Sequence, residues 1–356
     1  MKAVIITDTH FGARSDSLAF NEYFLRFFEE VFFPYIKEND ITHVIHLGDV
    51  FDRRKYVNYH ILSDVKKRVF DRLSDLGVNV DIIIGNHDTY WKNTNDVNSP
   101  SLLLSEYSNI KIYDKATDVV INGAKVLYVP WITDENQEET LETIKNTDSQ
   151  ICMGHLELND FQVMPGVYHD GGLSPKTFEK FDLVLSGHFH TRQYKDNIKY
   201  LGCVAQINFS DLDETKGFHT IELDTGEMEF IENPFNMFHK ILYDDANKKF
   251  NEAVGNIDFT KYENGHVKVV IVNKTNTSWF ERFMERLNAV NPLDVKIFED
   301  YAATFDIDAP TDVDMLVNDT LVVLDQSIDA LTAEVDKDEL KLLVKEIYIE
   351  AQNVEL

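Results

Sequence analysis

The stretch Val44-Ile45-His46-Leu47-Gly48-Asp49-Val50-Phe51-Asp52-Arg53 decides the fold of this chain. Its first half is an apolar run that stops abruptly at a glycine, which is typical of a central strand in a parallel sheet. Ligands of open α/β sheets bind just beyond the carboxyl ends of such strands. We therefore expect Asp49 to lie at a ligand-binding edge of a sheet.

Four further stretches repeat this pattern, in which a short apolar run is followed by Asp, Asn or His. The polar stretches in chain order are Asp8-Thr9-His10, Gly48 to Asp52, Gly85-Asn86-His87-Asp88, Gly154-His155 and Gly187-His188-Phe189-His190. The apolar runs before them are Ala3 to Ile6, His43 to Leu47, Val80 to Ile84, Ile151 to Met153 and Leu183 to Leu185. A single histidine after a strand is usually structural, whereas this repetition predicts one shared site.

The order of these stretches, D-x-H, G-D, G-N-H-D, G-H and G-H-x-H, resembles the signature of the calcineurin-like metallophosphoesterases. The resemblance implies an α/β fold, a two-sheet sandwich flanked by helices. It also implies a two-metal site, in which two cations about 3.5–4 Å apart generate hydroxide and clamp the attacking and leaving oxygens. Two dications this close need a shared anionic ligand, and Asp49 is the natural bridge.

The resemblance also implies which side chains hold each metal. One metal is expected on Asp8, His10, Asp49 and His190, and the other on Asp49, Asn86, His155 and His188. Mixed imidazole, carboxylate and amide ligands favour Mn, Fe or Zn over Mg or Ca. By resemblance we expect two Mn²⁺ ions, with Mg²⁺, Fe and Zn as alternatives.

His87 adjoins a predicted metal ligand and is expected to point towards the scissile phosphate, where it donates a proton to the leaving oxygen. The Asp52 carboxylate is expected to orient His87 and hold its protonated form, with Asp88 a second candidate for that role. Arg53 either contacts phosphate or forms a surface ion pair. The remaining histidines are expected to be structural or exposed, namely His43, His46, His60, His169, His219, His239 and His266.

Length, cysteine content and charge limit the number of domains, the cellular compartment and the mode of DNA binding. A length of 356 residues suggests two or three domains. The only two cysteines, Cys152 and Cys203, form no CxxC pair, which favours a reducing cytoplasm over a disulfide scaffold. We see no signal peptide and no apolar run that could span a membrane, so a cytoplasmic location is expected. The net charge of −28 is unusual for a protein that grips DNA unaided.

The order of predicted elements defines the domains. Strands alternate with helical stripes at Ser17 to Tyr35 and Ile61 to Leu76, which predicts right-handed crossovers and a parallel sheet. Later strands include hairpins, one of them turning at Asn122-Gly123. A small β-α-β unit follows Pro234, and two amphipathic helices follow Ala309-Pro310. The predicted domains are a phosphoesterase core at 1–232, a small capping or DNA-binding domain at 233–305 and a C-terminal helical pair at 306–356.

Finer motifs point to one branch of the family. The blocks Thr7 to Gly12, Gly48 to Arg53 and Val129-Pro130-Trp131 resemble the SbcD-type DNA nucleases, which include the meiotic-recombination nucleases. Gly154 to Leu158 and Gly187 to Thr191 look closest to the versions in large tailed phages. The resemblance implies a DNA exonuclease and endonuclease for recombination, repair and end processing.

The same resemblance implies partners. Relatives act with an SbcC-like ABC-type ATPase that has a long coiled coil, as a heterotetramer. This chain has no GxxxxGK[ST] phosphate loop, so ATP hydrolysis belongs to another chain. A homodimer is expected through helices near 58–76 and 98–107, although those stripes could equally face the core. The C-terminal helices could bind the ATPase or pack on their own domain.

Two other functions compete. One is a stand-alone phosphodiesterase or phosphatase that acts on nucleotides or phosphoproteins. The residues beyond 232 count against it, because a small-molecule enzyme needs no such extension. The other is a non-catalytic scaffold, which the intact ligand set and the presence of His87 disfavour.

Overall fold

The computed structural model describes residues 2–164 and 167–299, with isolated positions at 328, 336–337, 340–341 and 343–344. The predicted C-terminal helical pair and its predicted contact with an ATPase therefore lie outside the described residues. In the part of the chain that is described, no helix has the length and apolar character needed to cross a membrane.

Four β-sheets organise the described residues. The strands are β1 (Lys2–Ile6), β2 (His43–His46), β3 (Asn79–Ile83), β4 (Ile110–Tyr113), β5 (Thr117–Ile121), β6 (Ala124–Val129), β7 (Ile151–His155), β8 (Gln162–Met164), β9 (Val167–Tyr168), β10 (Leu183–Gly187), β11 (Gln193–Lys195), β12 (Ile198–Tyr200), β13 (Gly217–Glu222), β14 (Glu227–Glu232), β15 (Phe238–Asp244), β16 (His266–Asn273) and β17 (Asp294–Glu299). The two large sheets have the orders β14-β13-β1-β2-β3-β4 and β11-β12-β10-β7-β6-β5. A three-stranded sheet β15-β16-β17 and a two-stranded antiparallel sheet β8-β9 complete the set.

The helices lie mainly against the outer faces of the large sheets. The α-helical segments are Ala13–Asp16, Leu18–Phe27, Phe33–Glu38, Tyr59–Val65, Asp71–Asp75, Ser99–Leu104, Gln137–Asn146 and Thr277–Asn288. The π segments are Phe28–Phe32, Lys66–Phe70 and Asn251–Gly255, and the 3₁₀ turns are Pro175–Phe178, Phe209–Asp211 and Thr260–Tyr262. The first long helical stretch continues from Leu18 to Glu38 through the π segment Phe28–Phe32, which lies just before Pro34, a residue with no N–H to donate.

Apolar residues of both large sheets meet in one core. Ile5 and Ile45 from the first sheet pack in the same cluster as Met153 and Leu185 from the second. A separate cluster rich in phenylalanine joins the first sheet to its helices, and a third covers the outer face of the second sheet. The predicted fold, a two-sheet sandwich flanked by helices, is confirmed.

Parallel pairing fixes where the site forms. Strands β1, β2 and β3 are parallel neighbours in the first sheet, and β7 and β10 are parallel neighbours in the second. The carboxyl ends of parallel neighbours meet at the same edge, so the polar residues after each strand are brought together.

The predicted hairpin turn at Asn122-Gly123 is present between β5 and β6. Asn122 (φ 48°) and Gly123 (φ 91°) both have positive φ, as a type I′ turn requires.

The small unit after residue 233 is larger than predicted. Its predicted β-α-β core is present as β16, the helix Thr277–Asn288 and β17, and β15 adds a third parallel strand. Phe283 and Leu287 of the helix are buried with Val269 of the sheet. Phe238 of β15 stacks on His266 at 5.4 Å and also contacts Phe20 at 5.9 Å, which joins this unit to the first helix of the sandwich.

Candidate metal centre

The seven predicted metal ligands lie together at one edge of the sandwich. They are Asp8, His10, Asp49, Asn86, His155, His188 and His190, and each lies at or just beyond the end of β1, β2, β3, β7 or β10. Asp8, His10, Asp49 and His155 are almost completely buried. A site of this kind cannot be read from any single segment, because its members come from five strands in two sheets.

The backbone at these strand ends is strained. Asp8 (φ 51°), His10 (φ 41°), Asp49 (φ 57°) and His188 (φ 88°) all lie in the left-handed region, which non-glycine residues rarely adopt. Hydrogen bonds from the Asp8 N–H to the Gly48 carbonyl (3.0 Å) and from the His10 N–H to the Asp49 carbonyl (3.1 Å) hold two of these turns in place. The strain turns the side chains out of the strand direction and towards one another.

Two glycines let the turns approach closely. A Cβ atom on Gly48, whose φ is 99°, would lie 2.5 Å from Nδ1 of His155. A Cβ atom on Gly85 would lie 2.2 Å from Oδ1 of Asp49. No side chain larger than hydrogen fits at either position, so both glycines are needed for this packing.

The ring nitrogens and side-chain oxygens of these residues form two groups. In the first, Nε2 of His10 lies 3.1 Å from Nε2 of His190, and Oδ1 of Asp8 lies 3.9 Å and 3.7 Å from these two nitrogens. In the second, Oδ1 of Asn86 lies 2.9 Å from Nε2 of His155 and 3.0 Å from Nδ1 of His188. These groups correspond to the two ligand sets expected from the sequence.

Asp49 lies between the two groups. Its Oδ1 accepts a hydrogen bond from the backbone N–H of His87 at 2.7 Å, which fixes the orientation of the carboxylate. Its Oδ2 lies 3.7 Å from Nε2 of His10 and 3.3 Å from Nε2 of His155. One carboxylate oxygen therefore faces both sets, which is the position that a bridging ligand requires.

The hydrogen-bond pattern of His155 shows what such a site can hold. Nδ1 of His155 is 2.7 Å from the Leu47 carbonyl, which can only accept, so Nδ1 carries the proton. In the neutral ring Nε2 then directs a lone pair at two oxygens, those of Asn86 and Asp49. Atoms that can only accept repel one another unless a proton or a metal cation lies among them, and nitrogen with carboxylate oxygen is a donor set that suits Mn, Fe and Zn. The residues present fit divalent metal ions.

The charges around the site shift the pKa values of its histidines in different directions. Burial lowers the pKa of His10, but the nearby Asp52, Asp49 and Asp8 raise it to about 9. Burial likewise lowers the pKa of His155, and Asp49 raises it to about 9. Burial would raise the pKa of Asp49, yet the surrounding histidines, His155 first, hold it well below its ordinary value. Carboxylates therefore favour positive charge at His10 and His155, whereas burial, together with the charges of His10 and Lys216, holds the pKa of His190 well below its ordinary value.

His87 is held by a backbone group. Its Nδ1 donates to the carbonyl oxygen of Asp52 at 2.6 Å, and its ring lies edge-on to His10 at 4.8 Å. The Asp52 carboxylate instead lies 3.4 Å from Nδ1 of His10. The predicted contact between the Asp52 carboxylate and His87 is therefore wrong. The hydrogen bond from the Asp52 N–H to the Phe11 carbonyl (3.1 Å) sets the local backbone, so the carbonyl faces His87 and the side chain faces His10.

The two remaining candidates have structural contacts. The buried Asp88 carboxylate accepts hydrogen bonds from four backbone N–H groups, those of Asp49 (2.9 Å), Val50 (3.0 Å), Gly85 (3.0 Å) and Phe51 (3.3 Å). Because all four bonds go to the backbone, Asp88 serves to fix the two loops that carry the site. Arg53 lies 3.9 Å from Asp16 and over the ring of Tyr56 at 4.9 Å, so of its two predicted roles the ion pair is the one observed.

Several residues near the site were not predicted from the sequence. Nζ of the buried Lys216 donates to the His190 carbonyl at 2.9 Å, and no pattern in the sequence pointed to it. Glu157 lies 3.8 Å from Nε2 of His188 and 3.4 Å from Nε2 of His169. Glu157 could have been predicted from the sequence, because it lies in the Gly154 to Leu158 block beside His155.

The fold and the site define a class. The chain belongs to the calcineurin-like phosphoesterase family, whose sequence profile matches residues 1–192. These phosphoesterases use divalent metals, and the His and Asp cluster fits that chemistry.

Within this family, the chain is similar to several nuclease and DNA-repair proteins. Exonuclease subunit 1 of Enterobacteria phage T4 is 30% identical over 358 aligned residues, which cover 99% of each chain. DNA double-strand break repair protein Mre11 of Sulfurisphaera tokodaii is 30% identical over 53% of this chain and 48% of its own length. A subunit of nuclease SbcCD from Staphylococcus epidermidis is 20% identical over 64% of this chain and 67% of its own. The chain is a phosphodiesterase of this nuclease branch, and the sequence prediction of that relationship is confirmed.

Proposed function

We propose that this chain is the nuclease subunit of a DNA end-processing complex, with exonuclease and endonuclease activity that an SbcC-like ABC-type ATPase gates. The full-length similarity to a phage protein that is itself named an exonuclease subunit supports this. The similarity to a subunit of a bacterial SbcCD nuclease points the same way. The sequence contains no nucleotide-binding phosphate loop, which is consistent with a separate ATPase chain.

The proposed metal ligands are the two sets expected from the sequence. They are Asp8, His10, Asp49 and His190 for one ion, and Asp49, Asn86, His155 and His188 for the other. The observation that carries this proposal is the position of Oδ2 of Asp49 between His10 and His155. Bound divalent cations, with Mn²⁺ as our choice, would supply an activated water and neutralise charge on the phosphodiester.

The side chains of the protein have their own tasks. Because Nδ1 of His87 is committed to the Asp52 carbonyl, Nε2 is the atom free to exchange a proton with the leaving oxygen. The Asp52 carboxylate orients His10 and so acts on the site as a positioning group. Asp88 keeps the turns at Asp49 and Gly85 in register, which fixes where His87 points.

The proposed organisation is a catalytic domain at 1–232, a capping or DNA-binding domain at 233–305 and C-terminal helices at 306–356 that bind the ATPase. We also propose a homodimer through the helices near 58–76 and 98–107, and with the ATPase a heterotetramer. Tyr59 and Leu102 on these helices are 88% and 69% exposed, which supports an outward-facing apolar contact.

Activity of the purified chain with Mn²⁺ on labelled duplex DNA, a nucleotide and a phosphopeptide tests the proposal. We expect cleavage of DNA. Hydrolysis of the nucleotide or phosphopeptide without cleavage of DNA would favour the stand-alone phosphodiesterase or phosphatase. Absence of all three activities in a metal-loaded protein would favour a scaffold.

A further inference from the structure

Arg54 has a buried guanidinium nitrogen that donates to no group in the described part of the chain. Its Nη1 atom is buried, and within residues 2–164 and 167–299 no group accepts a hydrogen bond from it. Burial lowers the pKa of Arg54, while the charge of the Asp49 carboxylate acts in the opposite direction. The guanidinium is therefore partly dehydrated, and Arg54 follows closely in the chain after Asp52, whose carbonyl contacts His87.

Other arginines of the described chain show what Arg54 lacks. Arg68 donates to Glu22 at 2.6 Å and to Glu29 at 2.7 Å. Arg53, the adjacent residue, has Asp16 and the Tyr56 ring. A buried donor without an acceptor destabilises a protein unless a ligand supplies one. A guanidinium presents a planar fork of N–H groups that matches the oxygens of a phosphate.

The position of Arg54 suggests which phosphate. The segment starts in the metal centre at Asp52, whose carbonyl holds His87, and reaches the surface at Lys55 and Tyr56. Arg54 lies between these points and is half-buried. A nucleic acid strand that leaves the centre along this segment would place its next phosphate beside the guanidinium.

We infer that Arg54 binds a backbone phosphate adjacent to the scissile phosphodiester, an inference that rests on the proposed nuclease function. The whole protein has a net charge of −28 and so does not attract nucleic acid over long distances. A half-buried arginine at the site can still bind a phosphate, because that contact acts at short range. The competing role for Arg54 is a counter-charge that stabilises the Asp49 carboxylate.

The test is the affinity of the full-length protein, loaded with Mn²⁺, for a fluorescein-labelled single-stranded oligonucleotide, measured by anisotropy. The His87→Ala background keeps the oligonucleotide intact. We expect Arg54→Gln to weaken binding about tenfold and to reduce the slope of log affinity against log salt by about 0.7, the value for one lost phosphate contact on a single strand. Arg54→Lys keeps the charge without the fork and should recover part of the affinity.

Arg53→Gln is the matched control, because its guanidinium already has partners within the chain; we expect less than a twofold change in affinity. Thermal unfolding shows whether each variant is folded. Unchanged DNA affinity in both Arg54 variants, or an equal loss in Arg53→Gln, overturns the inference. Tighter Mn²⁺ binding by Arg54→Gln with unchanged DNA affinity would identify the counter-charge role and also overturn it. A parent protein that hydrolyses bis(p-nitrophenyl) phosphate but binds no DNA overturns the proposed function and this inference with it.

Discussion

The carbonyl oxygen of Asp52 accepts a hydrogen bond from Nδ1 of His87 at 2.6 Å. A backbone carbonyl can only accept, so this contact places a proton on Nδ1 and leaves Nε2 as the ring nitrogen that Asp52 does not engage. The orientation of His87 therefore depends on the backbone of the segment after Asp49 rather than on a side chain. Two predictions separate the roles of these neighbouring residues.

His87→Ala removes the proposed proton donor while leaving all seven metal ligands in place. General acid–base groups contribute typically 10²–10⁴-fold, so we expect kcat on DNA to fall by about that factor. Mn²⁺ titration followed by calorimetry should still report two ions per chain. Normal cleavage by His87→Ala would show that another group protonates the leaving oxygen.

Asp52→Ala removes a carboxylate but keeps the carbonyl that orients His87. Since the Asp52 side chain faces His10, the variant should bind Mn²⁺ more weakly, by about 10–100-fold. With saturating Mn²⁺ it should retain more activity than His87→Ala. The two variants are compared by steady-state kinetics across a range of Mn²⁺ concentrations. Equal loss of activity at saturating metal would contradict the structural assignment.

Asp49→Asn weakens the shared ligand of both proposed metals. At a hundred times its Kd, a ligand stabilises the native state by about 2.7 kcal/mol. The parent protein should therefore unfold at a higher temperature in Mn²⁺ than in EDTA, and Asp49→Asn should lose most of that difference. Asp148→Asn, an exposed carboxylate that pairs with Lys125, is a suitable control and should behave as the parent does. A full metal-dependent shift in Asp49→Asn would exclude the bridging role.

Asp88→Ala should destabilise the fold rather than only the chemistry. Four backbone N–H groups would lose their buried acceptor, which we expect to cost roughly 3 kcal/mol or more in the free energy of unfolding. Asp88→Asn keeps one acceptor oxygen and should lose less. Urea unfolding with EDTA present measures both variants without the contribution of metal.

The buried His219, which lies outside the metal centre, should make the free energy of unfolding depend on pH. Burial lowers its pKa to about 3, and the positive charges of Arg192 and Lys199 act in the same direction. The ring is buried against Phe230 and contacts the Tyr194 hydroxyl at 3.0 Å. Below pH 6.5 the unfolded chain gains a proton at this residue that the folded protein does not, so stability is lost as the pH falls from 6.5 towards 3.

The predicted loss from this one residue is about 1.4 kcal/mol per pH unit, or roughly 2 kcal/mol at about pH 5. The measurement is urea unfolding of the parent and of His219→Gln at about pH 7.5 and about pH 5, on either side of the ordinary histidine pKa. The variant should be less sensitive to pH by that amount. Identical pH dependence in the two proteins would mean that His219 is protonated in the fold.

The strands that carry the site have a local sequence signal, whereas strand β15 does not. The apolar runs before Asp8, Asp49, Asn86, His155 and His188 predicted the site-bearing strands, because a buried parallel strand followed by a glycine turn is a local pattern. Strand β15 was not predicted. It is stabilised by pairing with β16, whose first residue His266 lies far along the chain from its partner Phe238. A short stretch of sequence gives little indication that it pairs with a strand so far away in the chain.

Side-chain contacts were harder to predict than element positions. The sequence places Asp52 near His87, but only the hydrogen bonds of the folded loop decide that the carbonyl and not the carboxylate makes the contact. The different surroundings of Arg53 and Arg54 likewise depend on the folded loop. Asp16, in the segment after the first strand, pairs with Arg53, whereas Nη1 of the half-buried Arg54 has no acceptor among the described residues.

The sequence by itself determined the class of fold, the strand ends that carry the site and the types of side chain gathered there. Each of these depends on hydrophobic patterning and turn residues, which act over a few positions. Only the tertiary structure decided which atom faces which. Oδ2 of Asp49 lies between His10 and His155 because two sheets pack with their strand ends together and because left-handed turns redirect the side chains. Those distances depend on contacts between residues far apart in the chain, which no single stretch encodes.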